Sequence, residues 1–393
     1  MEDVFDFADV QDNTVVEQEF EIIVDRSCFL AALKMVIGVV ENSQILQILS
    51  HVKMIAKGDL LTVMATDSEV ELVSSFKMMK KVEGEFAITV PGKKLLDVFR
   101  TLPDGASVSM SCTRNWVKIC ASDNIEFTLS ALPSEGFPVI RMGSEIKTFS
   151  LQKSNFTSLL SSSSFAMAHS DVRHFLNGML FSFSEDVLKV TATDGHRLAI
   201  DFAGVTSEEG FSGDASAIIP RKAVLELAKL IDSAEGVVEV AVTDQHVKVM
   251  TDKFILSTRL LEGDYPDCEK LIPDYDGTKA IVSRVLFKQA LSRAAVLAKE
   301  KYHGVRLSFT VGQLKISSTN SDNEKAEEVF PVDYDGDEIA MAFNISYLLD
   351  VVNVLSSTDI DFVLSDPQKC VLLKEYGDGG CEDAIYVVMP MTL

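Results

Sequence analysis

The sequence lacks the features that mark secreted, membrane and metal-binding proteins. Its six cysteines include no CxxC pair, and 393 residues can bury a core without disulfides, so we expect reduced thiols in a cytosolic protein. No apolar run reaches the roughly 18 residues of a membrane span. The first residues have neither the positive charge nor the apolar stretch of a signal peptide. The six histidines show no HExxH-type spacing, so we expect no metal and no cofactor.

Positive charge is scarce as well, since 36 lysines and arginines stand against 59 acidic residues, a net charge of −23. Taken alone, that balance argues against a nucleic-acid partner. The helices that we infer from apolar periodicity have the opposite charge balance. Together they carry +10, which leaves −33 for the rest of the chain. If these helices share one surface, it attracts a polyanion through its phosphates, without reading base edges. The inferred helices are 26–38, 93–102, 153–168, 221–231, 284–301 and 345–355.

The chain repeats itself three times. The segment LLTVMATD at 60–67 returns as VLKVTATD at 187–194 and, more weakly, as QLKISSTN at 313–320, at spacings of 127 and 126 residues. Two further motifs recur at nearly the same period, one near the middle of all three copies and one near the end of the first two copies. Each copy begins with an amphipathic helix, continues with strands that alternate apolar and polar residues, and has a second helix opened by Pro91 or Pro220.

We therefore predict an α+β fold made of three tandem copies of one domain, each with two helices and several antiparallel strands. The predicted limits are an acidic tail at 1–19, whose composition is typical of disordered segments, and domains at 20–146, 147–273 and 274–393. Leu286, Ala290, Ala294 and Leu297 are expected to form the buried face of the helix that begins the third copy.

One motif breaks the repeat. The middle copy has TDGHRL at 193–198, where the first copy has TDSEVE at 66–71 and the third has TNSDNE at 319–324. A turn that is purely structural should look alike in all three copies. The Gly-His-Arg-Leu element is therefore expected to have a role that the fold itself does not require.

Three interpretations of this motif stay open. Asp194 and His196 can be an acid–base pair in a hydrolytic enzyme, although the sequence has no nucleophile motif and no glycine-rich phosphate loop. Gly195 can permit a tight turn that His196 caps. Alternatively, Leu198 can line a binding pocket that has Arg197 at its rim. A repeat scaffold that never meets DNA is a further alternative to any of these.

The segment ATDGHRLA at 192–199 resembles the signature of the bacterial β sliding clamp family, the processivity subunits of the replicative DNA polymerase. Five other segments resemble the same family: 165–173, 176–181, 294–297, 304–307 and the C-terminal YVVMPMTL at 386–393. The resemblance runs from residue 20 to the last residue. It implies a head-to-tail homodimer whose six domains form a ring, with the helices lining a channel around duplex DNA.

The resemblance also implies a non-catalytic protein of the cytoplasm and nucleoid that holds DNA topologically and without sequence specificity. It would tether other proteins and raise their effective concentration at the template, thereby conferring processivity. The implied partners are the catalytic subunit of the replicative polymerase, the clamp loader, other DNA polymerases, and mismatch-repair and ligase-type proteins. Each would bind through a short apolar peptide motif.

Three sets of site residues follow from the resemblance by position. The partner-peptide pocket would lie between the second and third domains and be lined by Leu176, Thr193, Gly195, His196, Arg197, Leu198, Pro266, Lys270, Leu271, Tyr347, Met389, Pro390, Met391 and Leu393. The DNA channel would present Arg26, Lys34, Lys93, Arg100, Arg173, His174, Phe175, Arg221, Lys222, Arg284, Lys288 and Lys299. The dimer interface would use Lys93, Lys94, Phe127, Leu129, Val296, Leu297, Asp322, Glu324, Glu327 and Glu328.

The sequence also departs from the family pattern. Ser43 stands where well-known members have a DNA-contacting arginine, and His174 replaces one ring of an aromatic pair, which weakens the case for DNA contact there. Asn124 and Glu126 replace basic residues of the dimer interface, so we expect a dimer that is more salt-tolerant or weaker than usual. In the tail, residues 4–7 (VFDF) loosely resemble the apolar motif of clamp-binding peptides, which leaves self-occupation of the pocket open.

Overall fold

A computed structural model describes residues 19–41, 46–122, 124–143, 146–184, 186–207, 215–272, 277–298, 303–377 and 384–392. The predictions made for residues 1–18 of the tail and for Ser43, Lys299 and Leu393 lie outside these described residues. Within them, no helix is long and apolar enough to cross a membrane.

The predicted repeat is visible in the order of elements. Each copy opens with a strand and a helix, continues with strands, and closes with a second helix and three strands. The first copy contains β1 (Phe20–Asp25), α1 (Arg26–Val36), β2 (His51–Thr66), β3 (Val70–Pro91), α2 (Gly92–Thr101), β4 (Ser107–Cys112), β5 (Trp116–Ser122) and β6 (Ile125–Ser130).

The second copy contains β7 (Lys147–Gln152), α3 (Lys153–Ser163), β8 (Gly178–Ser184), β9 (Val187–Thr193), β10 (Arg197–Gly204), β11 (Thr206–Ser207), β12 (Ala215–Pro220), α4 (Arg221–Leu230), β13 (Val237–Val242), β14 (His246–Met250) and β15 (Ile255–Arg259). The third contains β16 (Thr278–Ser283), α5 (Arg284–Ala298), β17 (Gly304–Thr310), β18 (Gln313–Thr319), β19 (Lys325–Pro331), β20 (Ile339–Asn344), α6 (Ile345–Val354), β21 (Asp359–Leu364), β22 (Val371–Tyr376) and β23 (Ile385–Val388). The predicted α+β architecture is confirmed.

The helices lie where periodicity placed them, with two corrections. Pro91 and Pro220 are the last residues of β3 and β12 and precede the second helices instead of opening them. In α5 the buried face includes Phe287, Ala290 and Ala294, whereas Leu286 is exposed, so the predicted face was turned by one residue. Phe287 has the larger apolar side chain, and its ring packs edge-on against Phe362 at 5.2 Å between centroids.

The chain folds as two compact units, of which the first contains residues up to 144 together with 233–235 and 248–259. A four-stranded antiparallel sheet has the order β1-β4-β5-β6, and in a second sheet β2 pairs with β3 and β3 with β15. The rings of Phe29 on α1 and Phe99 on α2 meet edge to face at 4.6 Å in its core.

The second unit contains 145–232, 236–247 and 260–393. Its largest sheet has eight strands in the order β12-β8-β9-β10-β23-β22-β21-β16. The second and third copies are joined at its centre, where β10 pairs antiparallel with β23. A separate four-stranded sheet has the order β19-β18-β17-β20. The β10–β23 pairing brings the C-terminal segment beside the motif that breaks the repeat.

Candidate functional site

The turn at 194–196, between β9 and β10, is built by its own side chains. Asp194 Oδ1 accepts hydrogen bonds from the backbone amides of His196 at 2.9 Å and Arg197 at 3.0 Å. The Thr193 hydroxyl donates to the Arg197 carbonyl and accepts from the Gly195 amide. Gly195 has a φ of +88°, a conformation that a side chain would strain.

The first copy builds the same kind of turn. Asp67 Oδ1 accepts from the amides of Glu69 and Val70, and the Thr66 hydroxyl accepts from Ser68, whose φ is +81°. The Thr-Asp part of the motif is therefore structural and recurs. What is new in the middle copy is the pair that follows, His196 and Arg197.

Arg197 is bound by residues of its own copy and of the third copy. Its Nε donates to Asp194 Oδ2 at 3.2 Å, one terminal nitrogen donates to Asp350 on α6, and the other donates to the Phe165 carbonyl at 2.7 Å. Its guanidinium carbon lies 4.6 Å from the ring centre of Tyr347 and 5.2 Å from that of Phe165. Only 12% of the side chain is exposed. We expected Arg197 at the rim, where it would meet a peptide's polar groups, but its donors are used within the chain and it forms part of the wall.

The C-terminal segment passes beside this wall. The backbone amide of Met389 donates to the His196 carbonyl at 2.8 Å, and that of Met391 donates to the Ala342 carbonyl at 2.7 Å. The His196 ring lies nearly parallel to the Tyr347 ring, with 6.2 Å between centroids. Met389 is 42% exposed. A flexible thioether therefore lies open to solvent next to an aromatic pair, a surface that can adapt to apolar ligands.

Below the turn lies an apolar cluster. Leu198 and Cys268 are buried in it together with Val387 from the C-terminal strand, and Tyr265 packs against it. The Tyr265 hydroxyl accepts a hydrogen bond from the Thr193 amide at 3.0 Å, and burial raises the pKa of that hydroxyl above its ordinary value. Leu198 is thus a floor residue beneath the site and contributes little open surface.

The other predicted pocket residues lie around this centre. Pro266 is exposed and follows Tyr265 in the chain, and Leu176 is buried, with its backbone amide bound to the Arg173 carbonyl. Lys270 is 82% exposed, and its Nζ lies 2.9 Å from Asp267 Oδ2. Leu271 lies in the short 3-10 turn Cys268–Leu271.

Arg173 belongs beside the pocket turn, although the sequence analysis assigned it to the DNA channel. Its Nε and one terminal nitrogen donate to the two carboxylate oxygens of Asp171, each at 3.0 Å. A side chain at Gly195 would meet this guanidinium at 3.2 Å. Arg173 is half-exposed, so a cation held in place by Asp171 lies beside the turn.

The first helix of each copy begins with a basic residue that is bound within its own copy. Arg26 Nε donates to the Phe99 carbonyl at 3.0 Å, Lys153 Nζ to the Asp232 carbonyl at 3.2 Å, and Arg284 Nε to the Ser357 carbonyl at 2.6 Å. These carbonyls lie in the last turn of the second helix of the copy or just beyond it, where a cation is stabilising. Arg26 and Arg284 were predicted to face DNA, yet these donors tie two helices together.

Several other predicted channel residues are exposed. Lys34 on α1 and Lys288 on α5 are exposed, as are Lys93, Arg100 and His174. Arg221 donates to the Met167 carbonyl at 2.9 Å, and burial lowers the pKa of its guanidinium. Phe175 packs at 6.5 Å against Tyr265, and Lys222 is half-buried.

Strands β6 and β19 are each the outermost strand of a four-stranded sheet, β6 in the first unit and β19 in the second. Phe127 on β6 is 36% exposed and Val296 on α5 is 70% exposed, while Leu129 and Leu297 are half-buried. Outermost strands present unpaired backbone donors and acceptors, so both are able to pair with another chain.

The acidic residues near β19 are bound within the chain. Glu328 takes a two-pronged hydrogen bond from Arg293, at 2.7 and 2.5 Å, which lowers the pKa of that carboxyl. Glu327 Oε1 lies 2.7 Å from both Lys315 and Lys325. Glu324 accepts from the Asn320 side chain, and Asp322 is exposed. Two of the four predicted interface acids thus already have basic partners before a second chain is present.

Sequence reasoning missed Phe165, Tyr265 and Asp350 as parts of the site. Phe165 and Tyr265 lay inside segments that were noted for other reasons, and their aromatic character within those segments was the available signal. Asp350 offered none, because its place opposite Arg197 depends on how α6 of the third copy packs beside β10 of the second.

Three family models match consecutive parts of the chain. The N-terminal domain of the DNA polymerase III beta subunit matches residues 20–141, the central domain matches 150–267, and the C-terminal domain matches 269–392. Together they cover nearly all of the described residues.

Whole-chain relatives agree. The beta sliding clamp of Pseudomonas putida is 38% identical over 371 residues, which cover 94% of this chain and 99% of the relative. The beta sliding clamp of Escherichia coli K12 is 34% identical over 370 residues, which cover 94% of this chain and 99% of that relative. A solved sliding clamp from Pseudomonas aeruginosa, crystallised with a ligand, superposes with a TM-score of 0.89 at 36% identity, over 95% of this chain and 100% of that one. A sliding clamp from the same organism bound to griselimycin superposes with a TM-score of 0.89 at 36% identity, over 96% of this chain and 100% of that one.

Proposed function

This chain belongs to the DNA polymerase III beta-subunit family, the sliding clamps, and from that membership we propose how its surfaces serve DNA replication. It is a non-catalytic processivity factor that encircles duplex DNA without sequence specificity. The observation that carries the proposal is the threefold recurrence of one α+β domain, each copy matched by a different model of the same family. Its place of work is then the cytoplasm, at the nucleoid.

The peptide site is the surface around His196, Tyr347 and Met389. Partner proteins would lay a short apolar motif on Met389 and the exposed edge of the aromatic pair, because these groups offer adaptable apolar surface beside a rigid wall. Arg197 would hold the wall, and Arg173 would meet polar or acidic groups of the peptide. The partners are the replicative polymerase, the clamp loader and other replication and repair proteins.

The DNA surface consists of the exposed helix cations, among them Lys34 and Lys288. Weak, non-specific attraction to phosphates suits a protein that must slide, since retention is topological. The acidic remainder of the chain would repel DNA from other faces. His174 and Phe175, which stand where the family has an aromatic pair, would add little to this attraction.

The dimer would form by pairing β6 of one chain with β19 of another, head to tail, with Phe127 packed against Val296. Two such contacts close a ring of six domains. Because Glu327 and Glu328 are bound within their own chain, apolar packing and strand pairing would dominate this interface.

The enzyme alternative is not favoured. Asp194 uses its carboxylate on the amides of His196 and Arg197 and on the Arg197 side chain, as a turn residue does. Under the clamp proposal, His196→Ala weakens peptide binding. Under the enzyme alternative it would abolish a turnover that no observation yet requires.

Retention on DNA tests the proposal directly. After loading by its clamp loader, the protein should stay on a nicked circular duplex and be lost from the same duplex once it is linearised. Equal retention on both forms would contradict encirclement, and no retention on either would favour the scaffold alternative.

A further inference from the structure

The β2–β3 hairpin of the first unit carries a basic bulge. Its register slips so that Gly58 pairs with Val82 but Leu60 pairs with Lys77, which leaves residues 78–81 of β3 opposite one residue of β2. The side chains of Lys77, Met79, Lys80 and Lys81 are exposed there, Met79 to 61%. We call residues 77–81 the lysine bulge.

Nearby acidic groups balance the lysine bulge only in part. Glu85 forms an ion pair with Lys57 at 2.9 Å. Glu21 on β1 lies 4.0 Å from Lys80 and also accepts from the Ser109 hydroxyl. Among the described residues, Lys77 and Lys81 have no ion-pair partner. Two further acids flank the bulge, Asp59 on β2 opposite residues 78–81 and Glu83 just beyond them. Residues 77–81 themselves contain three lysines and no acid, so positive charge is concentrated in the bulge beside an exposed methionine, with acidic residues on its flanks.

The chain enters the first unit next to this surface. Phe20, the first residue of β1, stacks on Phe86 of β3 with 4.8 Å between ring centroids and 15° between planes. Its neighbour Glu21 is the residue that approaches Lys80. Residues 1–18, which precede this entry point, contain six acidic and no basic side chains, together with the apolar Val4, Phe5 and Phe7.

These residues are an extension relative to the sliding clamps. The N-terminal family model begins to match at residue 20, and the Pseudomonas putida clamp is covered over 99% of its own length by 94% of this chain. The extension is thus additional to the domain that forms the clamp, and it begins beside the lysine bulge.

We propose that the acidic extension, residues 1–18, docks on the lysine bulge of its own unit. Opposite charge attracts it, and attachment at Phe20 makes the encounter intramolecular, with a high effective concentration. A span of 18 residues, at roughly 3.4 Å each, exceeds the distance to a surface that contacts its attachment point. The apolar side chains at positions 4, 5 and 7 would cover Met79. The docked extension would cover the three lysines of the bulge, which could otherwise contact DNA phosphates outside the helix surfaces.

Carbodiimide cross-linking tests the contact, because it joins carboxylates directly to amines that touch them. With the full chain, mass spectrometry should find carboxylates of the extension linked to Lys77, Lys80 or Lys81. The links should disappear at about 1 M salt, where the Debye length is about 3 Å. A mixture of isotope-labelled and unlabelled chains should give links within one chain, and links between chains would overturn docking on the chain's own unit.

Two variants make the result decisive. The triple variant K77E/K80E/K81E should lose the links, whereas Lys34→Glu on α1, also an exposed lysine, should keep them. If Lys34→Glu loses the links and the triple variant keeps them, the extension lies on the helix surface. Links to Lys270 would place it at the peptide site. Either result overturns the proposal. Thermal unfolding would show that both variants remain folded.

Removing residues 2–18 gives an independent measurement. The shortened chain, without a loader, should bind a short linear duplex more tightly than the full chain, and K77E/K80E/K81E in the shortened chain should abolish that gain. A gain that survives the triple substitution, or the absence of any gain, would contradict shielding of the bulge. Because no ring is loaded in this assay, its outcome is separate from that of the clamp function.

Discussion

The guanidinium carbon of Arg197 lies 4.6 Å from the ring centre of Tyr347, and the two residues come from different copies of the repeat. The same side chain reaches Asp350 of the third copy and the Phe165 carbonyl of the second. Arg197 therefore fixes the wall of the proposed peptide site and also connects the second and third copies. The shape of the proposed peptide site thus depends on the contacts that Arg197 makes between these two copies.

Arg197→Lys should weaken peptide binding. Lysine keeps the positive charge but cannot bond Asp194, Asp350 and the Phe165 carbonyl at once. Losing charge-assisted hydrogen bonds of this kind costs about 1–3 kcal/mol, so the affinity should fall about tenfold. Fluorescence polarisation with a labelled peptide carrying a short apolar motif measures it. Unchanged affinity would mean that the wall does not depend on Arg197.

Lys270→Ala provides the matched control. Both residues were assigned to the pocket from sequence, but Lys270 is 82% exposed and pairs with Asp267 in solvent. Exposed pairs contribute little, typically below about 1 kcal/mol. The same titration should therefore change by less than about fivefold. A loss as large as that of Arg197→Lys would show that rim charge, and not wall shape, governs binding.

The sequence identified the site's loop but not its internal chemistry. Asp194 looked like part of a unique motif, yet Asp67 builds an equivalent turn in the first copy, so only the His196-Arg197 step is special. A local pattern cannot reveal that Arg197 is enclosed, because Asp350 and Tyr347 are about 150 residues away in the chain. The six helices were predictable because their apolar faces repeat locally. The roles of the charged side chains were harder to predict. Arg26 and Lys34 both lie on α1, but only the packing of the helix determines which of them is bound to a backbone carbonyl.

Phe127→Asp should dissociate the dimer. An aspartate would place an unpaired charge where apolar packing is proposed, and the cost of desolvating it exceeds what the pairing recovers. Sedimentation at micromolar concentration should show monomers. Val237→Asp is the control, because Val237 is 47% exposed on β13, a strand that belongs to neither of the four-stranded sheets. If the Phe127 variant remains dimeric, β6 is not the interface.

The dimer should also respond weakly to salt. Glu327 and Glu328 are already paired with Lys315, Lys325 and Arg293, so few charges are left to attract a second chain. Between about 0.1 and 0.5 M salt, where screening of exposed charges increases strongly, the dissociation constant should change little. A dimer that tightens markedly as salt is lowered would contradict this.

Lys34→Ala and Lys288→Ala should each weaken non-specific binding to duplex DNA. Removing one lysine that neutralises a phosphate should reduce the slope of log affinity against log salt by about 0.9. Arg26→Ala should instead lower the free energy of unfolding by about 1–3 kcal/mol, since it removes hydrogen bonds to Phe99 and Arg100. DNA titrations across salt and urea unfolding separate the two effects. If Arg26→Ala changes the salt slope and Lys34→Ala does not, the assignment is reversed.

Glu71 makes the first unit sensitive to pH. The side chain is 4% exposed on β3, and burial raises its pKa to about 7, against the opposing effects of the Ile140 amide, which donates to it at 3.2 Å, and of Lys248 and Lys53. The folded state therefore holds a proton between about pH 4.5 and 7 that the unfolded chain releases. Its stabilising effect is complete below about pH 4.5 and is lost as pH rises through 7.

Glu71→Gln should remove this loss, because glutamine keeps an acceptor for the Ile140 amide and cannot ionise. The difference in free energy of unfolding between the variant and the natural chain should increase from about pH 5, by at most about 3 kcal/mol, and stay constant above about pH 7. Urea unfolding followed by the fluorescence of Trp116, the single tryptophan, reports on the first unit. Glu69→Gln, at an exposed position close by in the sequence, is the matched control for the amide substitution itself. If the Glu71→Gln difference is the same at every pH from 5 to 8, Glu71 is ionised throughout, and the nearby Lys53 and Lys248 outweigh its burial.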